Sequence, residues 1–397
     1  MTSIETRQVE GLEYYTLARK IAGYAFRPSP QPPDTTDHTE DLPYLEKVRA
    51  FVVFVDGEPQ ATATLFPFIE NIRGKLVPMS GIGGVATMPA ARRKGHIRSL
   101  FDTLFANMRD HGEVVSTLYP FRESFYQRFG YIPFQQTKYV TFSPANLSSI
   151  ARIEKSGSIQ QMMIADGFEE WNTYLERYQT RTHGFARYDR SAALREKKNN
   201  REWLVLARND AGEVIGGMTF VITGYLKTME CEAFYYDSPE ARLLLLDWCA
   251  RHVDQVKDIQ VRVSPAETPE LWLPDMYATI RNNDEYRTSP MGRVMDVTAL
   301  NGIAAGSGDI AIEITDPQCS WNSGTYTFGA GADGTLTVEP GGTAATTLTI
   351  QGLSALVYTG QDPADFRIRG WGDPGTEVQA TLRSLFPPVI PHLHEDF

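Results

Sequence analysis

The sequence predicts an α+β / α/β protein with two tandem mixed-sheet units followed by a smaller domain rich in β-structure, over 1–148, 149–288 and 289–397. Three observations carry this. The chain has 397 residues, which at roughly 150 residues per domain is two or three cores. One order of β-type runs, turn and amphipathic helix occurs twice. From Met291 onward the composition changes to Gly, Thr, Ala and alternating β-branched residues.

In the first unit, Leu12, Tyr15, Leu17, Ala18, Ile21 and Ala25 recur at three- and four-residue spacings, which predicts a helix over 11–26. A proline-rich loop, 28–43, follows. The runs 51–55 and 61–65 flank Asp56-Gly57, a pair suited to a tight hairpin. A third extended stretch, 76–87, leads through Pro89 and a basic cluster into a helix over 97–109, with Leu100, Phe101, Leu104, Phe105 and Met108 inward. His111 is expected to close that helix before Gly112. A strand over 114–119 completes the unit.

The copy runs through 203–207, a turn at 209–212, 214–223, a strand at 231–236, a helix over 239–253 and a strand at 259–263. It is a degenerate internal repeat. Where the first unit has Arg92-Arg93-Lys94-Gly95, the copy has Ser238-Pro239-Glu240-Ala241-Arg242, without the glycine or the basic pair. The third domain shows strand alternation at 310–315 and 347–350 and a helix over 375–385, then a Pro- and His-containing tail ending at Phe397. Such a tail ordinarily frays.

Charge and cysteine content narrow the function. The net charge of -11 repels a phosphate backbone, so nucleic acid is not an expected partner and cationic small molecules are. Cys231, Cys249 and Cys319 are widely spaced and form no CxxC, which points to neither a disulfide framework nor a zinc knuckle and fits a reducing cytoplasm. No apolar run is long enough to span a bilayer, so no membrane role is expected. His392 and His394 lack the spacing of a closed metal site, and no metal is expected.

The segment with chemistry is 85–100. A strand ending Val85-Ala86-Thr87 enters a helix through Arg92, Arg93, Lys94, Gly95, His96, Ile97 and Arg98. Amides at a helix start lack intrahelical partners and the helix dipole adds about half a positive charge there, so the turn suits a pyrophosphate. The basic side chains supply attraction in an otherwise negative protein. His96 reads as a loop side chain rather than a base. Gly81-Ile82-Gly83-Gly84-Val85-Ala86 and Gly306-Ser307-Gly308-Asp309-Ile310-Ala311 both satisfy G-x-G-x-x-A, yet each runs on into β-type residues where a dinucleotide site needs a helix.

The stretch from Arg92 to Ile97 resembles the R/Q-x-x-G-x-G/A acyl-CoA loop of GNAT N-acetyltransferases, with Ile97 a departure at the last marked position. Together with Phe125-Tyr126-Gln127-Arg128-Phe129-Gly130-Tyr131, the R-R-x-G-x-x-R run resembles the Eis-type acetyltransferases over nearly the whole chain. The resemblance implies two tandem GNAT-like domains, the second without a coenzyme loop, then a sterol-carrier-like α+β domain whose tail reaches the active site. It implies acetyl-CoA as cosubstrate, held by 85–87 and 92–98, and a cationic amine acceptor of aminoglycoside or polyamine type. It further implies a homo-oligomer such as a hexamer.

The same resemblance assigns Tyr126 as the acid for the departing thiolate and the carboxylate of Phe397 as base; the thioester oxygen needs a backbone N–H on the splayed strand, and the Val85 amide is the candidate. A base is useful because an amine of pKa near 10.4 is neutral in only about one molecule in 2,500 at pH 7. Val389, Ile390 and Leu393 are the expected anchors of the tail. The competing readings are a non-catalytic acyl-CoA or lipid carrier and a protein-lysine acetyltransferase.

Overall fold

The computed structural model describes residues 3–30, 32, 34–188, 194, 197–282 and 288–397, arranged on three sheets. The first unit contributes β1 (Ile4–Val9), β2 (Arg49–Val55), β3 (Glu58–Ile72), β4 (Lys75–Thr87), β5 (Val115–Leu118) and β6 (Ile132–Pro133). Next come β7 (Lys138–Phe142), β8 (Ser158–Met163), β9 (Ala186–Tyr188), β10 (Trp203–Arg208), β11 (Val214–Ile222), β12 (Thr228–Tyr236), β13 (Asp258–Val263) and β14 (Thr279–Arg281). The last are β15 (Met291–Val294), β16 (Asp309–Thr315), β17 (Gly324–Ala330), β18 (Leu336–Pro340) and β19 (Thr346–Thr349).

Most sequence-predicted elements form where patterning placed them. Asp56 and Gly57 both adopt positive φ, 51° and 82°, so β2 and β3 close the tight hairpin that Asp-Gly favours. The segment over 11–26 becomes a π-type turn, Tyr14–Ala18, running into a helix, Arg19–Phe26. The helix His96–Asp110 buries the five expected apolar residues, and His111 Nδ1 meets the Asn107 carbonyl at 2.7 Å beside left-handed Gly112. In the third domain the β-type run over 347–350 ends at Thr349, where the helix Ile350–Thr359 begins. That helix is apolar on all sides, and its residues from Gly352 to Tyr358 are buried.

Three strands cross the expected boundaries, one of them β9, which comes from the segment assigned to the second domain and pairs antiparallel with β3. The first sheet runs β1-β2-β3-β4-β5-β15-β6, with β9 on β3, and the second runs β14-β7-β13-β12-β11-β10-β8. β7, from the segment assigned to the first domain, pairs antiparallel with β13 of the second. β15, from the segment assigned to the third, fills the equivalent place beside β5 in the first. Each sheet thus completes itself with a strand from outside its own linear segment. Unpaired backbone groups along β5 and β13 need partners, and pairing is indifferent to where in the chain they arise.

The third sheet, β18-β17-β16-β19, shares one apolar core with the first unit, in which Phe66, Phe68 and Val115 sit with Ile312, Leu353 and Phe386. Polar ties reinforce the junction. Arg73, at the left-handed tip of the β3–β4 hairpin, donates to the carbonyls of Leu356, Val357 and Pro387. Arg293 on β15 is wholly buried, pairs with Asp316 beyond β16 and donates to the Phe129 carbonyl.

Candidate active site

β4 and β5 hold the site open because they pair over only part of their length. Parallel pairing covers Met79 to Ile82 against Val115 to Leu118, while β4 continues to Thr87. On its other edge β4 stays with β3, through a bulge between the Thr62–Ala86 and Thr64–Gly83 pairs, where Gly84 takes φ 61°. The Met88 amide donates to the Gln60 carbonyl on the β3 side. Strand alternation therefore turns the amides of Val85 and Thr87 to the opposite edge, into the split. Ala86 falls on the β3 side, so of the three predicted strand residues only Val85 and Thr87 offer amides to a ligand in the gap.

The basic turn lies at the end of that split. Arg92 Nε donates to the Thr87 carbonyl at 3.2 Å, and Arg93 takes φ 63°. Gly95 precedes the helix with φ 88°, and a Cβ there would meet no atom within 4 Å. No side chain caps the helix and no acid stands in its first turn. Arg92, Arg93, Lys94 and Arg98 are exposed and Ile97 is half-buried. His96 corrects the loop reading: it is the first helical residue, 6% exposed, with Nε2 buried and without a hydrogen-bond partner among the described residues. These features fit a diphosphate, whose oxygens would take the free amides and the guanidinium charge.

The repeat lacks that capacity for a visible reason. In the helix Pro239–Ala250, Ser238 Oγ accepts from the Ala241 amide and Glu240 sits in the first turn. One orphan amide is already satisfied and a carboxylate opposes any anion.

Tyr126, on the short helix Glu123–Gln127, is 3% exposed and packs against Phe101, Phe121 and Phe125. Its hydroxyl makes no hydrogen bond among the described residues, and burial pushes its pKa up. It therefore stays protonated at neutral pH and can donate a hydrogen bond.

The tail does not fray. The Val389 amide donates to the Thr359 carbonyl and the His392 amide to the His183 carbonyl at 2.8 Å. The Pro391 and His392 backbone lies so close to Gly184 that a Cβ there would stand 2.5 Å from Pro391. Leu393 is 2% exposed, and burying a leucine is worth about 1.5–3 kcal/mol. His392 is also buried, and desolvation followed by the nearby Arg262 charge lowers its pKa to about 3, which keeps the ring neutral. Of the expected anchors, Ile390 is exposed instead. Tyr119 donates to the Glu395 carbonyl at 3.0 Å, and buried Arg262 holds Asp396 at 3.3 Å.

These contacts deliver Phe397 to β4. Its ring sits among Phe66, Phe68 and Tyr119, with centroids 6.4, 5.1 and 5.6 Å away. A Cβ on Gly81 would come 2.7 Å from the ring, and one on Gly83 would come 2.8 Å from the terminal carboxyl carbon. The glycines that mimic a dinucleotide fingerprint are the seat of the C-terminus. Three glycines in one buried strand were the signal for close approach of another backbone. Beside Phe397 lies a cavity of about 490 Å3 between the tail, Gly84 and the helix Arg19–Phe26.

Residues 7–134 match the acetyltransferase (GNAT) domain family and residues 297–394 the sterol carrier protein domain family. The first unit is a GNAT acetyltransferase domain. The chain thus carries a GNAT acetyltransferase domain, of an enzyme class whose cosubstrate is an acyl-CoA, and a sterol-carrier-like domain behind the two sheet units. The matched ranges stop short of β7 and β15.

Solved structures share the fold across the whole chain. They include a conserved protein of Enterococcus faecalis described as a probable N-acyltransferase, at 22% identity and TM-score 0.84, with 100% of each chain covered. A GCN5-related N-acetyltransferase of Anabaena variabilis is similar at 18% identity and TM-score 0.83, again over 100% of each chain. Eis1 of Mycobacterium abscessus is similar at 16% and 0.76 over 100% of both. The GNAT chain thus has the Eis-type arrangement anticipated from its two first-domain motifs. No curated protein matches it by sequence. Among the described residues no group of side chains could hold a metal ion, and no helix is long and apolar enough to cross a membrane.

Proposed function

We propose that this GNAT-type enzyme transfers an acetyl group from acetyl-CoA to a primary amine of a small molecule seated in the cavity beside Phe397, in a cytoplasmic setting. The observation that carries the reading is the chain's own terminal carboxylate, held against Gly83 where β4 and β5 part. The ring and carboxyl group of Phe397 rest on Gly81 and Gly83, beside the cavity. Asp396, its neighbour, is tied to Arg262.

The proposed roles follow from the environment of each group. Phe397 accepts the proton that the amine must lose, directly or through water. The Val85 amide, turned into the split, offers a hydrogen bond to the oxygen on which charge grows during acyl transfer. Tyr126 donates a hydrogen bond to the departing sulfur. Its raised pKa means that it releases a proton only in concert with the charge arriving on sulfur. Arg92, Arg93, Lys94, Arg98 and the amides from Gly95 to Ile97 would hold the pyrophosphate of the acetyl donor. The cavity of about 490 Å3 between the tail and the helix Arg19–Phe26 has room for a small amine.

The test is a thiol-release assay with acetyl-CoA and a panel of amines. Tyr126→Phe is expected to lower kcat by about 10–100-fold, in the lower range for loss of one proton donor, with KM for acetyl-CoA little changed. Equal rates for variant and parent would remove Tyr126 from the chemistry. Arg92→Ala with Arg93→Ala has the opposite signature. By calorimetry, acetyl-CoA affinity should fall about tenfold or more, since each charge-assisted contact is worth about 1.5–3 kcal/mol when made in full and less at this exposed turn. Unaltered affinity would place the pyrophosphate elsewhere.

A further inference from the structure

We infer that the acceptor carries, besides its amine, an anionic group on the far side of an aromatic or apolar body, and that Arg19 and Arg27 select it. The inference rests on the amine-transfer reading above and departs from the polycationic acceptor expected from sequence. The side chains around the cavity are divided by charge. Its tail wall holds the carboxylates of Phe397 and Asp396. Its helix wall holds Arg19 and Arg27 and no acid.

The helix face explains the division. Tyr15, Arg19, Gly23 and Arg27 follow at four-residue intervals, so they stand on one side of the turn and helix. Small residues in the middle, Ala22 and Gly23, leave the space, and a guanidinium stands one turn to each side of Gly23. Neither guanidinium makes an ion pair or hydrogen bond among the described residues; Arg19 lies over the Tyr15 ring, 5.1 Å from its centroid. Arg27 is exposed and Arg19 half-buried.

A polyamine or an aminoglycoside needs several carboxylates at several points, and this cavity offers two, of which Asp396 is committed to Arg262. Two unpaired arginines would repel its remaining charges. The walls between are aromatic, with Phe66, Tyr44 and Tyr188 among them. The complementary ligand places its amine at the Phe397 carboxylate, an aromatic body along these rings and a carboxylate or phosphate at the arginines, which present the planar donors such groups take in pairs.

The experiment compares kcat/KM for 4-(2-aminoethyl)benzoate, tyramine and spermidine, in the full chain and in Arg19→Gln/Arg27→Gln. The expected order is benzoate over tyramine by at least about tenfold, the worth of one charged contact, with spermidine last. In the double variant the benzoate-to-tyramine ratio should collapse toward one, and Arg19→Lys/Arg27→Lys, checked for folding by circular dichroism, should restore part of it. Spermidine as the best acceptor, or a ratio that ignores the substitutions, overturns the inference while leaving amine transfer standing. Thiol release with none of the amines, despite measurable acetyl-CoA binding, overturns the amine-transfer reading and this inference together.

Discussion

Deletion of Phe397 is expected to lower turnover by about a hundredfold or more, as loss of a positioned general base would, while acetyl-CoA should still bind because the site proposed for it lies at the other end of the split. The docked tail is what gives a weak base its effect. A free α-carboxylate of pKa about 3.3–3.7 accepts protons poorly in water. Here it is fixed beside the acceptor cavity, so the geometry is prepaid and the competing conformations of a loose terminus are absent. The seat can be disturbed without touching the tail. Gly81→Val puts atoms where the Phe397 ring lies, since even a Cβ would come within 2.7 Å of it, and should reproduce the kinetic loss of the deletion. Single-turnover kinetics with each protein checks this. Full activity in both would show that the carboxylate is a structural terminus, and the proton would need another acceptor.

Asp316→Ala should cost about 3–5 kcal/mol of stability, the usual result of removing one partner from a buried ion pair. Arg293 is 0% exposed and Asp316 2%, and Asp316 also accepts from the Asn322 amide nitrogen and from the backbone of Gln318 and Cys319. Arg293 rides on β15, the strand that completes the first sheet, so the pair joins the sterol-carrier-like domain to the catalytic sheet. The loss should therefore appear as a lower urea midpoint for the catalytic unit and the third domain together, followed by far-UV circular dichroism. Replacing both partners, Arg293→Met with Asp316→Leu, removes the unpaired charge and should recover much of the loss. A single variant as stable as the parent would mean that the arginine finds water or another acceptor at this junction.

Local patterning made the repeated sheet units legible because period-two and period-3.6 alternation, Asp56-Gly57 and the turn into His96 are short-range consequences of side-chain type. The turn proposed to hold the coenzyme was legible for the same reason: strand, positive-φ glycine and uncapped helix are consecutive in the chain. Gly81 and Gly83 were not, because a glycine says only that something comes close, and that something is Phe397, more than three hundred residues away. Nor could linear order reveal the exchange of β7 and β15, since strand pairing depends on which edge is open and not on chain position. The burial of His96 is not legible in the sequence, because it depends on what packs over the first helical turn. Arg19 and Arg27 carry no signal in the sequence, because the cavity they face is formed with the distant tail residues Asp396 and Phe397.

By itself, then, the sequence determined the two sheet units and the contrast between their helix starts, a basic glycine turn in the first and Ser238 with Glu240 in the second. These are local matters of backbone hydrogen bonding and charge. The tertiary structure alone decided where the chain ends: at the split of β4 and β5, beside a cavity with acid on one wall and base on another. That outcome needed Tyr119, His183, Arg262 and Leu393, drawn from all three units, to hold a single tail, and contacts between distant segments leave no periodic trace in the residues that make them.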